Sequence, residues 1–435
     1  MPPTKKHQGI SPQQAEVVAQ LRQQWEEDLF DRVLPFWIKH SVDQEHGGYF
    51  TCLDRDGSVY HTDKYSWLQG RQVYMFSHLY SELPDRPEAK EWLVTAAVGM
   101  KFLKKIMAQE GLLFFSYSQD GRAQHLQRKP YGNVFLLHAN LEYYRALSIA
   151  GVAKVVPEEC QEDYANRATF RAGAIRLFKE FRSMVADPTL CGRPKVESAG
   201  PGGTRLGEVM CTAAVALHFE QTLTAVEGSL DAAQAAENKA AFQDALKLAR
   251  LHYDKERRVF VENVPASGVI DYSTPDGRFF NPGHSVEVAW FLLRVVEVVP
   301  DSEAEGIALK ALLGSLEAGW DTEHGGIFYM QDILGKPLLD ATVVSEGKLW
   351  WPHTEAIYAC MLAFARTKDQ AYLDWLVKVH DYSYKTFVDK EHGEWFGYCN
   401  RDGSLARSCK GGNYKGCFHV PRGLLFSIQA ARQVQ

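Results

Sequence analysis

Four short segments of this chain set groups that can move protons beside residues that typically open helices. They are Trp67-Leu-Gln-Gly-Arg71, Asn281-Pro-Gly-His284-Ser-Val-Glu287, Trp350-Trp-Pro-His353-Thr-Glu355 and Gly416-Cys-Phe-His419-Val-Pro-Arg422. An imidazole titrates near neutral pH, and the positive end of a helix dipole disfavours its protonated form. His284 and His419 therefore read as neutral bases. Arg71 could hold a developing oxyanion, and Glu287 and Glu355 add carboxylates. Two bases, a guanidinium and an aromatic rim fit removal of a proton alpha to a carbonyl, and a base on each face would invert the carbon. A sugar would first have to open to its aldehyde, a step for which His353 and Glu355 are a candidate pair. Trp67, Tyr131, Trp351 and His353 are the candidate substrate contacts. The alternative for each histidine is a hydrogen-bonded packing residue; what favours chemistry is the shared place at helix starts. His46, His324 and His392 read as turn residues. His138 and His218 read as packing residues inside helices, His138 within reach of the pocket.

A repeat brings these distant segments together. Asp43-Gln-Glu-His-Gly-Gly-Tyr-Phe50, Asp321-Thr-Glu-His-Gly-Gly-Ile-Phe328 and Asp389-Lys-Glu-His-Gly-Glu-Trp-Phe396 are variants of one motif, and the first and third run on into Asp56-Gly57 and Asp402-Gly403. Aromatic alternation followed by Asp-Gly signals a β-hairpin. Weaker relatives lie at 111–121 and 257–263, and the segment around Cys191 could hold a sixth. Polar-faced helical stretches precede the hairpins, such as 16–42, 88–108, 167–185 and 372–388. More apolar ones follow, at 67–83, 131–149, 208–223, 284–298, 353–365 and 419–431. A helix apolar nearly all round requires burial on all sides. Six polar-faced helices alternating with six apolar ones favour an inner ring wrapped by an outer ring, an all-α (α/α)6 toroid formed as one domain over residues 1–435, over an open superhelix. In a parallel inner ring all six helix starts meet at one mouth.

Composition removes other classes. Of 435 residues, 46% are hydrophobic and 23% charged, with a net charge of -6, so no basic footprint for nucleic acid is present. The polar stretch 1–14 lacks the apolar region of a secretory leader. No apolar run is read as reaching the roughly 18 residues of a membrane span. A cytoplasmic protein is expected. The eight cysteines form no C-x-x-C pair, so they read as free thiols with no zinc site and no metal.

At these motifs the chain resembles the N-acylglucosamine 2-epimerase family, also called renin-binding proteins. The resemblance runs from FWIKHSVDQEHGGYFTCL through KYSWLQGRQVYM, NPGHSVEVAWFLLR, KLWWPHTEA and EHGEWFGY to KGGNYKGCFHVPR. It implies a six-hairpin α/α barrel, a homodimer, and reversible conversion of N-acetylglucosamine to N-acetylmannosamine. It matches His284 and His419 to an acid/base pair, Arg71 to an arginine that stabilises the intermediate, Glu355 to a glutamate needed for activity, and Glu287 to one implicated in the related sugar epimerases. It also implies ATP as an activator that is not consumed. For this the Gly-rich stretch Lys410, Gly411, Gly412, Lys415, Gly416 is the candidate phosphate cradle, although it lacks P-loop order and a plain rim loop is the other reading. Renin binding is not carried over, because no sustained heptad is present. Three rivals stay open: an epimerase or isomerase of cellobiose or mannose, an inverting glycoside hydrolase using Glu287 and Glu355, and a non-catalytic binding protein.

Overall fold

A computed structural model describes residues 9–108, 113–126, 130–187, 190, 203–338 and 345–434. The expected first outer helix is present but interrupted. Helix α1 (Pro12–Asp28) starts on a capping box of Ser11 with Gln14 and passes through a π-helical turn, Leu29–Val33, into α2 (Leu34–Ser41). Pro35 has no N–H for the carbonyl one turn back and its ring crowds that carbonyl, which accounts for the widened turn. The chain continues through α3 (Ser66–Glu82), α4 (Ala89–Met107), α5 (Pro130–Ala153), the short α6 (Gln161–Ala165), α7 (Ala168–Ala186), α8 (Leu206–Glu227) and α9 (Ala232–His252). It ends with the short α10 (Pro275–Arg278), α11 (Pro282–Val298), α12 (Ser302–Gly319), α13 (Trp350–Thr367), α14 (Gln370–Thr386) and α15 (His419–Arg432).

The expected two-layer ring is what forms. Helices α3, α5, α8, α11, α13 and α15 pack in that order as the inner layer, and α4, α7, α9, α12 and α14 back them from outside. The ring shuts where α1 packs on α15 and where Gln429 of α15 donates to Glu82 of α3 (2.9 Å). Burial follows the sequence pattern: in α13 every residue from Trp350 to Phe364 is buried, whereas α4 and α14 bury one stripe. Among the described residues, α8 is the one helix long and apolar enough on average to cross a membrane, although Glu208 and Glu220 interrupt its apolar run. It stands in the inner ring, where apolarity is needed for packing.

The loops hold the inner helix starts in place. Hairpins form at 52–61, 116–125, 253–260 and 398–407, three of them turning at Gly57, Gly121 and Gly403 with positive φ. The strand entering an inner helix pairs with the next repeat: Lys64–Tyr65 with Ser116–Tyr117, Thr204–Arg205 with Asn263–Val264, Lys348–Leu349 with Tyr398–Cys399. The segment around Cys191 lies outside the described residues. The three Asp-x-Glu-His-Gly copies are tight loops, each closed by one bridge. In each, the aspartate accepts backbone N–H groups of its own turn and a buried lysine: Lys64 on Asp43 (2.6 Å), Lys348 on Asp321 (3.0 Å), Lys410 on Asp389 (2.9 Å). A side chain of the following hairpin completes each clasp. Gln119 reaches Asp43, Arg401 reaches Asp321, and Arg55 of the first hairpin reaches Asp389 of the last loop. His46, His324 and His392 sit in these turns, each beside its neighbouring glutamate.

Candidate active site

The inner ring encloses a cavity of about 1430 Å³, lined from the first turns (Trp67, His284, His419) to the last (Glu82, Gln429). His284, on α11, has its first-turn amide held by the Asn281 side chain (3.1 Å). Its Nδ1 pairs with Glu262 (2.8 Å), leaving Nε2 for the cavity. His419 opens α15; its Nδ1 pairs with Glu355 (2.7 Å), so its Nε2 is also the free nitrogen. The Trp351 ring packs near both, with centroids 5.1 Å from His284 and 5.9 Å from His419.

The two imidazoles are poised in opposite directions. Burial, reinforced by the guanidinium groups of Arg71 and Arg422, pushes His419 down to about 3 even against its Glu355 partner, so it stands neutral. Burial acts on His284 as well, but the Glu262 carboxylate outweighs it and raises His284 above its ordinary value. The expectation that both would be neutral is therefore corrected for His284: an ion pair at 2.8 Å overrides the helix dipole. A pair of titratable groups driven apart in this way separates an acid from a base.

Arg71 is a half-buried cation with no carboxylate partner among the described residues. Its guanidinium lies over Trp67, Phe135 and Phe418 at 4.2–4.6 Å, and its Nε is unpartnered. Burial and the neighbouring Arg422 pull it down to about 9, so it stays charged at neutral pH. The carboxylates are arranged otherwise. Arg422 Nη2 donates to Glu287 (3.1 Å) and to Glu355 (2.5 Å), and Trp290 Nε1 donates to Glu355 (3.0 Å). Arg422 and His419 hold Glu355 at about 2 against the cost of burial, while burial and the Glu355 charge push Glu287 up. Glu355 thus stands behind His419 and orients it. Glu287, Glu355 and His419 offer donor atoms within 4.8 Å, the one metal-sized cluster among the described residues, but Arg422 already fills the cation's place between the carboxylates. Being that close, the two carboxylates cannot stand the roughly 6.5–9.5 Å apart that an inverting hydrolase needs across a sugar, so that rival lacks its geometry.

Trp67, Tyr131 and Trp351 line the cavity as expected. His353 does not. Its Nδ1 donates to Leu349 O (2.6 Å), its Nε2 accepts from Ile327 N (2.9 Å), and it is fully buried against Tyr382 and Phe387. The reason is the repeat. The fourth residue of an inner helix ties down the preceding loop, as Gln69 does for Tyr49 (2.8 Å) and Ser285 for Phe260 (2.8 Å). His353 can neither touch substrate nor help to open a ring.

The phosphate cradle expected at 410–416 does not fit either. Lys410 is the repeat lysine on Asp389, and Lys415 donates to Glu394 (2.7 Å); both are buried. The amides of Lys410 and Gly411 donate to Leu53 O, and that of Gly412 to Lys415 O. A Cβ on Gly411 would meet Thr51 O at 2.1 Å, and Gly416 packs on Leu68 and Thr51. Both ammonium groups and the amides of Lys410, Gly411 and Gly412 are thus engaged within the protein rather than turned to an anion. What the loop offers the cavity is its tip, Asn413 and Tyr414. The described cysteines are free, as expected.

An α/α toroid whose cavity holds an acid and a base imidazole beside an unpaired guanidinium is the framework of a proton-transfer enzyme. The profile of the family described as N-acylglucosamine 2-epimerase (GlcNAc 2-epimerase) matches residues 48–155 and 231–420. The chain is 37% identical to N-acylglucosamine 2-epimerase of Bos taurus over 90% of its length and 87% of that protein, and 34% identical to that of Homo sapiens over 92% and 88%. Cellobiose 2-epimerase from Spirochaeta thermophila shares the fold, with a TM-score of 0.74, 20% identity, and 97% and 99% of the two chains covered. The chain belongs to the N-acylglucosamine 2-epimerase family.

Proposed function

We propose that the protein interconverts N-acetyl-D-glucosamine and N-acetyl-D-mannosamine by moving the proton on C2 of the opened sugar. The observation that carries this reading is the opposed poise of His419 and His284, both beside Trp351, with the unpaired Arg71 in the same cavity. The neutral Nε2 of His419 takes the C2 proton; the C–H electrons form the C1–C2 double bond and move the carbonyl pair onto O1. Arg71 faces the charge that develops there, in a site walled by aromatic rings. The protonated Nε2 of His284 then returns a proton to the other face, which inverts C2. The pair ends with its proton on His419, the state that runs the reverse reaction.

Kinship with the mammalian enzymes supports N-acetylhexosamine as substrate over cellobiose or mannose. ATP as a non-consumed activator and a homodimer belong to the same proposal through kinship alone. The test is proton NMR of N-acetylglucosamine in D2O, with and without ATP. N-acetylmannosamine signals with loss of the C2 proton are the expected result. Neither product nor exchange under either condition would refute the reading for this sugar, and conversion of cellobiose or mannose instead would move the substrate.

A further inference from the structure

Below the reacting layer the cavity wall carries a second polar group that the proton transfer does not use. Glu142 of α5 is fully buried and takes Nε2 of His218 on α8 (2.6 Å) and Arg145 (3.1 Å), with His78 Nδ1 3.2 Å away. His218 Nδ1 in turn meets Nδ1 of His138 at 2.7 Å. His138, His218 and Glu142 all line the cavity. Glu142 is held well below the usual carboxylate range by His78 and His218 despite its burial, and burial keeps both His218 and His138 low, so the chain is one carboxylate and two neutral rings.

The proton positions then follow from bonding alone. An ionised Glu142 only accepts, so His218 Nε2 carries the single proton of its ring. His218 Nδ1 is therefore a lone pair and must accept from His138 Nδ1–H. That commits the one proton of His138 and leaves its Nε2 a bare acceptor, with no protein partner among the described residues, on the wall where the His138 ring meets Phe135, one turn back on α5, and Tyr74 of α3. Arg71 lies over the same Phe135 ring, so this acceptor adjoins the layer where the sugar reacts. The cavity, at about 1430 Å³, also exceeds the roughly 300–1,000 Å³ that encloses a drug-sized ligand, so the sugar has depth to extend into.

We propose that His138 Nε2 is a substrate-binding acceptor for a hydrogen-bond donor of the sugar, an O–H or the acetamido N–H, and that His218 and Glu142 are positioning residues that fix its tautomer. The inference rests on the amino-sugar reading above. Its test is calorimetric binding of two unreactive open-chain analogues, N-acetylglucosaminitol and glucitol, to wild type, His138→Phe and His138→Gln, together with kcat and KM for N-acetylglucosamine. The phenyl ring keeps the volume and removes the acceptor, whereas the glutamine oxygen can stand where Nε2 stood. Loss of one hydrogen bond weakens binding by about tenfold. His138→Phe is expected to raise Kd and KM by that factor, with a smaller change in kcat, and His138→Gln to recover most of it. A loss confined to N-acetylglucosaminitol identifies the amide N–H, and an equal loss for both analogues identifies a hydroxyl. His218→Phe should weaken binding in the wild-type background and add nothing to His138→Phe. Unchanged Kd values in His138→Phe, or equal losses in the Phe and Gln variants, would overturn the proposal. Failure of the wild type to bind either analogue while it epimerises N-acetylglucosamine would overturn this inference and leave the epimerase reading standing.

Discussion

The sharpest test of the acid–base assignment is Glu262→Gln. The amide still accepts from His284 Nδ1 but carries no charge, so burial is left to act on the imidazole without the carboxylate at 2.8 Å. An opposite charge at this range moves a pKa by roughly 1–3 units, each worth about 1.4 kcal/mol. The active form carries one proton on the pair, held on His284 while His419 sits at about 3. In the wild type kcat/KM is therefore expected to stay level from above pH 3 up to the raised pKa of His284, and to fall as that proton leaves. In Glu262→Gln the alkaline fall should begin about 1–3 units lower. Above both pKa values the rate should be down by about ten- to a thousandfold, and below both the two proteins should converge. The assay is C2 epimerisation followed by NMR across pH, in either direction, because the equilibrium constant belongs to the sugars. An alkaline limb that does not move would show that the proton on His284 is not the one delivered.

Three further changes separate chemistry from scaffold. His419→Phe should cost about 10²–10⁴ in C2 exchange with the melting temperature nearly kept; exchange that persists would remove His419 as the base. Arg422→Met leaves Glu287 and Glu355 as adjacent buried acids, a loss of about 3–5 kcal/mol at neutral pH. Arg422 depresses the folded pKa of Glu355, so its stabilisation holds at neutral pH and is lost as pH falls toward about 2; without it the acids take up protons at higher pH, and the deficit in melting temperature should shrink on acidification. A deficit independent of pH would contradict this account. Lys415→Met strands Glu394 and should lower the denaturant midpoint by a similar amount, about 3–5 kcal/mol; a native midpoint together with a selective loss of ATP response would restore the phosphate-cradle reading.

The ring was legible because its signal is periodic. Inner helices are apolar all round, outer ones carry one stripe, and the Asp-x-Glu-His-Gly loops mark the register. The helix starts told where chemistry gathers, and Arg71, His284 and His419 do reach the cavity. What sequence could not tell was which polar residue at a helix start faces inward. His353 and His284 look equivalent in Trp-Pro-His and Pro-Gly-His, yet one sits at the fourth helical position, which faces the preceding loop, and the other at the third. Lys410 misled for a related reason: flanking glycines suggested a cradle, whereas its counterparts are Lys64 and Lys348. Glu262 and Arg422 were overlooked. Arg422 had a usable signal, one helical turn after His419 on the same face. Glu262 lies in the loop of the same repeat, well upstream of the start of α11, and had none.

The clasp of Arg55 on Asp389 is the same kind of contact as that of Arg401 on Asp321, although one joins the ends of the ring and the other joins neighbours. At the level of these clasps the fastener of the ring matches one of its links. A circularly permuted chain, opened for instance at the exposed Gly228–Ser229 turn, would inherit every one of these clasps, with the mouth and its imidazoles assembled from the same six helix starts in a different genetic order.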